Sequence, residues 1–196
     1  MNYRKHALEL GRPVPTEPVV FLKPDSSLLK NNKPFFLPGF SNMIHYETEL
    51  VVKIGKLGKG IEPKFALRYI DDITLGIDIT ARDIQNRNSA AGLPWELSKG
   101  FDGSAPIGKF IPLEGINNIN DLSFRLDING KTVQEGNTSD MIFSVSEIIS
   151  YVSRFFTLKT GDLIFTGTPA GVGSLHKNDN LVAYLGDEVM LDFMIR

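Results

Sequence analysis

The sequence contains no cysteine in its 196 residues. That excludes disulfides, thiolate nucleophiles and cysteine-based zinc sites together, and it suits a reducing, cytoplasmic setting. Charge imbalance is also lacking: 21 Lys and Arg against 23 Asp and Glu leave a net charge of -2. Neither nucleic acid nor an acidic membrane surface is therefore expected as a partner. No apolar run reaches the roughly 20 residues that span a bilayer. The N-terminal "MNYRKHALEL" is polar and helical in pattern, without the apolar core of a signal peptide. Repeats and low-complexity tracts are absent. Histidine is scarce, with only His6, His45 and His176.

What remains is the pattern of one β-rich domain over residues 1–196, undivided by any linker and long enough to bury a substantial core. Residues 2–10 read as a short helix, and "GRPVPTEP" as a proline-rich loop. "VVFLK" (19–23) reads as a strand, followed by a long irregular connection. Residues 47–54 and 72–80 read as two further strands, rich in β-branched side chains, with a short helix in "KFALRYI" between them. "ARDIQNRNSAAG" has helix formers and a stop at Gly92. Asn129-Gly130 between two alternating runs predicts a type I′ hairpin. "SVSEIISYVSRFF" is an amphipathic helix capped by Ser144 or Ser146. "DLIFT" reads as a strand, "GTPAGVG" as a glycine-rich loop and "LVAYLGDEVMLDFMI" as a last hairpin. Strands dominate and no regular βαβ alternation appears, so the expected class is α+β, mainly β.

Two acids stand at i and i+2 where a strand begins: Glu47 and Glu49. On a strand they share a face, roughly 7 Å apart. A hard divalent cation would turn their repulsion into binding. By spacing alone, a solvated strand face is the more usual fate of two such acids. Asp78 adds a third carboxylate, flanked by Ile77 and Ile79 and needing a partner if buried. Three carboxylates from two strands make an oxygen site for Mg²⁺ or Mn²⁺, against the alternative of a structural Asp at a turn.

Arg82 and Gln85 follow at helical spacing, where a guanidinium beside a metal suits an oxo-acid ligand; alone, such an Arg is more often a surface ion-pair residue. Lys99 lies among loop signals, where a lysine is usually solvated. His6 and Glu9, at i and i+3, form a base-plus-orienter pair of a kind common by chance. His45 shares the face of Glu47 if the strand runs that far, as a ligand or a neighbour of the ligands, though such a histidine is more often a packed strand residue. "GTPAGVG" lacks the Lys-Ser/Thr pair of a nucleotide-binding loop, but its amides and the Thr168 hydroxyl offer a place for an anionic group.

Seven stretches in order resemble the fumarylacetoacetate hydrolase family, in its small acylpyruvase and oxaloacetate decarboxylase branch: "NYRKHALELG", "EPVVFLKP", "HYETELVVKIG", "GIDITARDIQ", "GLPWELSKGFDGSAPIG", "QEGNTSDMIF" and "GDLIFTGTPAGVG". They span nearly the whole chain. The resemblance implies a β-roll of mixed sheets with a few short helices, usually a homodimer. It implies Glu47, Glu49 and Asp78 as ligands of Mg²⁺ or Mn²⁺. It places Lys23, Arg82, Gln85 and Thr168 around a small 2-oxo acid substrate, with Lys99 as cationic helper or proton donor. His6 and Glu9 would lie on a lid and supply the base.

The implied activity is metal-dependent hydrolysis of a C–C bond in 3-acylpyruvates, giving pyruvate and a carboxylic acid. Oxaloacetate decarboxylation, or isomerisation or decarboxylation of a 2-hydroxy-diene-dioate, would use the same site and the same enolate. A 2-oxo-acid-binding protein without turnover is the alternative outside enzymes. One departure stands out: in the family an apolar strand and a glycine normally precede the "NY" motif, whereas here Met1 does. Loss of that strand would leave a neighbouring edge open and loosen the helix of His6.

Overall fold

The computed structural model describes residues 1–196. Helix α1 (Arg4–Glu9) comes first, and a 3₁₀ turn at Asp25–Ser27 leads into β1 (Leu28–Leu29). Strands β2 (Ile44–Tyr46) and β3 (Thr48–Ile54) flank the single residue Glu47. A 3₁₀ helix over Pro63–Tyr69 precedes β4 (Ile70–Ile77), and β5 (Thr80–Ala81) follows after two residues. Then come α2 (Arg82–Ala90), α3 (Glu96–Lys99), β6 (Ala105–Pro106) and β7 (Ile111–Pro112). The rest is β8 (Ser123–Ile128), β9 (Lys131–Asn137), α4 (Val145–Phe155), β10 (Leu163–Phe165), β11 (Gly173–Ser174), β12 (Asn180–Leu185) and β13 (Glu188–Met194). No helix is long and apolar enough to cross a membrane.

The strands form four sheets, in the orders β10-β3-β4-β7, β13-β12-β8-β9, β11-β2-β5 and β1-β6. Only the β1–β6 pair is parallel. The architecture is thus α+β and mostly strand. β3 sits between β10 and β4, so both its edges are paired, and Leu50, Val51, Val52 and Ile54 are fully buried, so both its faces are covered. Its β-branched residues suit such a strand. Leu50, Val52 and Ile54 join Leu126, Leu181 and Ile149 in one continuous core.

Helix α4 buries Val145, Ile148, Ile149 and Val152, spaced as one helical stripe, and packs on the 3₁₀ helix Pro63–Tyr69. Ser144 caps it, with Glu147 completing the reciprocal pair of hydrogen bonds. The β8–β9 turn has φ of 53° at Asn129 and 77° at Gly130, as a type I′ hairpin demands.

Four segments differ from the sequence reading. Residues 19–23 form no strand; Val19, Val20 and Leu22 are exposed, and no neighbouring strand pairs with them. "KFALRYI" winds as 3₁₀ turns up to Tyr69, with Ala66 the one buried side chain of that 3₁₀ helix, before Ile70 opens β4. The strand expected over 47–54 begins one residue later, after a break at Glu47, and the one expected over 72–80 is interrupted at Asp78-Ile79. The interruptions face one another. There the β2–β5 pair of one sheet becomes the β3–β4 pair of another. The Asp78 amide bonds the Glu47 carbonyl at 2.7 Å, while the Ile79 amide turns away to Ser104 at 2.9 Å.

Candidate active site

That sheet junction gathers the three acids. Oxygen atoms of Glu47, Glu49 and Asp78, one from each, lie within 4.8 Å of one another. All three residues are buried, at 6%, 5% and 2% exposure, which removes the solvated-face reading.

Cations line one side. Lys99 Nζ donates to Glu47 Oε2 at 2.9 Å, to Asp78 Oδ2 at 2.5 Å and to Thr80 Oγ1 at 2.6 Å. Lys99 is 2% exposed, so the expectation of a solvated lysine does not hold. α3 buries it: the Lys99 amide closes onto Trp95 at 3.0 Å within this short helix. Arg82, at the start of α2, donates to Glu47 Oε1 and to Gln85 Oε1. It is likewise buried rather than a surface ion-pair residue. Lys23 donates to the Lys99 carbonyl and to Ser104. Its Nζ also forms an ion pair with Asp78 Oδ1 at 2.8 Å.

These neighbours split the two glutamates. Burial pushes Glu47 up, but the charges of Lys99 and Arg82 outweigh it and hold Glu47 ionised well below the usual range. Burial raises Glu49 as well, and the charges of Asp78 and Glu47 add to it. No lysine or arginine pairs with Glu49, and its carboxyl is pushed up to about 8. Its one hydrogen bond comes from the Gly167 amide at 2.6 Å. Burial works against the Lys99 ammonium, but Asp78 and Glu47 prevail and raise its pKa.

The donor set fits a hard divalent cation. It is all oxygen, its three carboxylates converge, and it includes a Glu49 carboxylate that burial and like charge leave unfavourable without a cation.

Helix α1 closes one face. His6 is 2% exposed, and its Nδ1 lies 3.0 Å from Glu9 Oε2. Burial lowers the His6 pKa, offset only in part by Glu47 and Glu9. A neutral imidazole that donates from Nδ1 to Glu9 leaves Nε2 as the basic nitrogen. The glycine-rich loop spends two amides on protein carboxylates: Gly167 on Glu49, and Gly171 on Glu9 Oε1 at 2.9 Å. Those amides are therefore not free for an external anion.

Gly167 has φ +106°, and a Cβ there would come within 2.5 Å of the Asn2 side chain. Asn2 docks the helix, donating to the carbonyls of Phe143 at 2.8 Å and Thr166 at 2.9 Å. Thr168 Oγ1 accepts from Gln134 Nε2 at 2.9 Å.

Gln134 and Asn2 were not singled out as site residues from the sequence. Gln134 also accepts the Thr48 amide at 3.0 Å, between the two glutamates. The only signals were their places within the "QEGNTSDMIF" and "NYRKHALELG" motifs. His45 contacts Arg82 Nε at 3.5 Å and Ser174 Oγ at 3.3 Å, so it is a neighbour of the arginine. His176 is exposed.

Known proteins agree with this architecture. The model of the fumarylacetoacetate (FAA) hydrolase C-terminal family matches residues 1–194. The mitochondrial oxaloacetate tautomerase of Mus musculus is 42% identical over 195 residues, which cover 100% of this chain and 88% of the relative. The mitochondrial oxaloacetate decarboxylase of Dictyostelium discoideum is 42% identical over 199 residues, covering 100% and 91%. The crystal structure of fumarylpyruvate hydrolase from Pseudomonas aeruginosa, in complex with Mn²⁺ and pyruvate, superposes with a TM-score of 0.93 at 35% identity, covering 99% of this chain and 84% of that one. The chain belongs to the fumarylacetoacetate hydrolase family.

Proposed function

We propose that this chain is a divalent-metal-dependent enzyme that cleaves 3-acylpyruvates to pyruvate and a carboxylic acid. The observation that carries the reading is the three-carboxylate cluster with the neutral His6–Glu9 pair on the helix above it. The similar P. aeruginosa fumarylpyruvate hydrolase, which holds Mn²⁺ and pyruvate, supports it.

Glu47, Glu49 and Asp78 would hold Mg²⁺ or Mn²⁺, which supplies Lewis-acid stabilisation for the negative charge of a pyruvate enolate. Each other residue has a role of its own. His6 Nε2 takes a proton from water, and Glu9 fixes the tautomer that leaves Nε2 free. Lys99 keeps a positive charge in a dry site, where it counts for more than in water, and so stabilises the developing enolate, whose carbon takes its proton from water as His6 releases its own. Arg82, Gln85 and Thr168 orient the substrate carboxylate, Arg82 exchanging internal acceptors for it. Lys23 sets Asp78 and the backbone of Lys99.

Oxaloacetate decarboxylation or tautomerisation is the second reading. The mouse and Dictyostelium relatives, both 42% identical, favour it. It needs the same enolate but no attack by water.

The test is pyruvate release from acetylpyruvate and from oxaloacetate by purified protein with Mn²⁺ or Mg²⁺. Loss of both activities in EDTA, with recovery on adding metal, is expected. A rate indifferent to EDTA refutes the metal-dependent reading.

A further inference from the structure

Arg12 stands just beyond α1. Gly11, at φ +63°, ends the helix, and the Arg12 amide returns to the Ala7 carbonyl at 2.9 Å. The helix that carries His6 therefore also fixes where the Arg12 side chain begins. Its guanidinium carbon lies 5.6 Å from the centre of the Trp95 ring. Trp95 packs on Phe21, with ring centres 5.9 Å apart. The Lys99 ammonium sits 5.3 Å over Phe21, and the same ammonium binds Glu47 and Asp78. Contact thus runs unbroken from the acidic cluster to Arg12.

The guanidinium itself is unspent. Arg82 pairs with Glu47, whereas no carboxylate pairs with Arg12, and its one partner in the fold is the Trp95 ring. It is half-buried. Burial lowers its proton affinity, Arg82 lowers it further and Glu47 raises it, so the charges it senses are those of the site. A planar, permanently charged group held on an aromatic wall suits two-point recognition of a carboxylate.

We propose that Arg12 receives a second, distal carboxylate of the substrate, so that the preferred substrates are 2-oxo or 2,4-dioxo diacids rather than acylpyruvates with a neutral acyl end. This deepens the function proposed above and rests on it. Phe21 and Trp95, whose ring centres lie 5.9 Å apart, would supply the apolar surface along the carbon chain between the two carboxylates. A neutral acyl group would leave the guanidinium half-buried and unpaired, which is how such a site rejects the wrong ligand.

Fumarylpyruvate and acetylpyruvate share the 2,4-dioxo core and differ only beyond it. In the Mn²⁺-loaded protein, Arg12→Gln should lower the ratio of their kcat/KM values about 30-fold, the scale of a charged hydrogen-bonded pair. Arg12→Lys should restore part of the ratio. A ratio within about twofold of the unaltered protein overturns the assignment. If the unaltered protein turns over neither compound yet binds Mn²⁺, the proposed activity fails, and titration calorimetry with the same two compounds decides Arg12. The affinity ratio must then fall as the kinetic ratio was to fall; an unchanged one refutes the role.

Discussion

Glu47 and Asp78 are joined twice: the Asp78 amide bonds the Glu47 carbonyl at 2.7 Å, and one ammonium, that of Lys99, bonds both carboxylates. The backbone bond marks the sheet junction, and the ammonium keeps the two acids together. Lys99→Met removes that shared cation from a fully enclosed site. Breaking a buried ion pair by deleting one partner costs about 3–5 kcal/mol. Without metal, the variant should melt on the order of 10 °C lower. Saturating Mn²⁺ should recover much of that loss, since the ion replaces the missing positive charge. Thermal unfolding with and without Mn²⁺ measures both, and a drop that Mn²⁺ leaves untouched would contradict the shared-cation role.

Glu49 gives the metal-free protein a pH dependence whose sign is fixed. Its folded carboxyl titrates at about 8, against an ordinary value of 4.5. The stability it contributes is fully present below 4.5 and is lost as pH rises through about 8, because the unfolded chain ionises first. Metal-free protein should therefore lose stability over this window, and Glu49→Gln should flatten the loss. Metal binding must displace the same proton. Affinity for Mn²⁺ should rise toward pH 8 with proton release, read by calorimetry in buffers of different ionisation enthalpy. Binding with no proton exchange at pH 7 would show that Glu49 is already ionised.

Much of the fold was legible because local chemistry specified it. Ser144 with Glu147, the stripe from Val145 to Val152 and the Asn129-Gly130 turn each act within a few residues of sequence. The breaks at Glu47 and Asp78 were not legible, because the handover between two sheets creates them and propensity knows nothing of it. "VVFLK" has strand chemistry, but a strand needs a neighbour, and its edge has none. Asp78 was the informative site residue, since a carboxylate between two isoleucines has few inert explanations. Lys99 was opaque: glycine- and proline-rich surroundings read as solvated loop, and only the fold shows that they bury it.

His6 should separate the two readings of function. Hydrolysis needs a base to activate water, whereas decarboxylation does not. His6→Ala should lower acylpyruvate hydrolysis by about 100-fold or more, the usual contribution of a positioned base. Oxaloacetate decarboxylation should fall far less. Glu9→Gln should act in the same direction but more weakly, by loosening the tautomer and the Gly171 contact. Equal losses in both reactions would assign His6 to closing the site or to proton transfer onto the enolate.

Gln134 makes three hydrogen bonds from a buried side chain. Its oxygen accepts the Thr48 amide at 3.0 Å, and its nitrogen donates to Thr168 Oγ1 at 2.9 Å and to the Pro169 carbonyl at 3.1 Å. It thereby ties β9 to the backbone between Glu47 and Glu49 and to the loop after β10. Gln134→Leu strands three buried polar groups, at about 1–3 kcal/mol each where they find no other partner. A melting point lower by roughly 10 °C is expected. Gln134→Glu keeps an acceptor for Thr48, and the Thr168 hydroxyl can rotate to donate to it, so only the Pro169 carbonyl is deserted. If the amide's work is to align the ligand backbone, Mn²⁺ affinity should fall clearly in the Leu variant and only slightly in the Glu variant. Calorimetry that finds both variants binding Mn²⁺ as tightly as the unaltered protein, despite lower melting points, would reduce Gln134 to a structural tie with no part in the metal site.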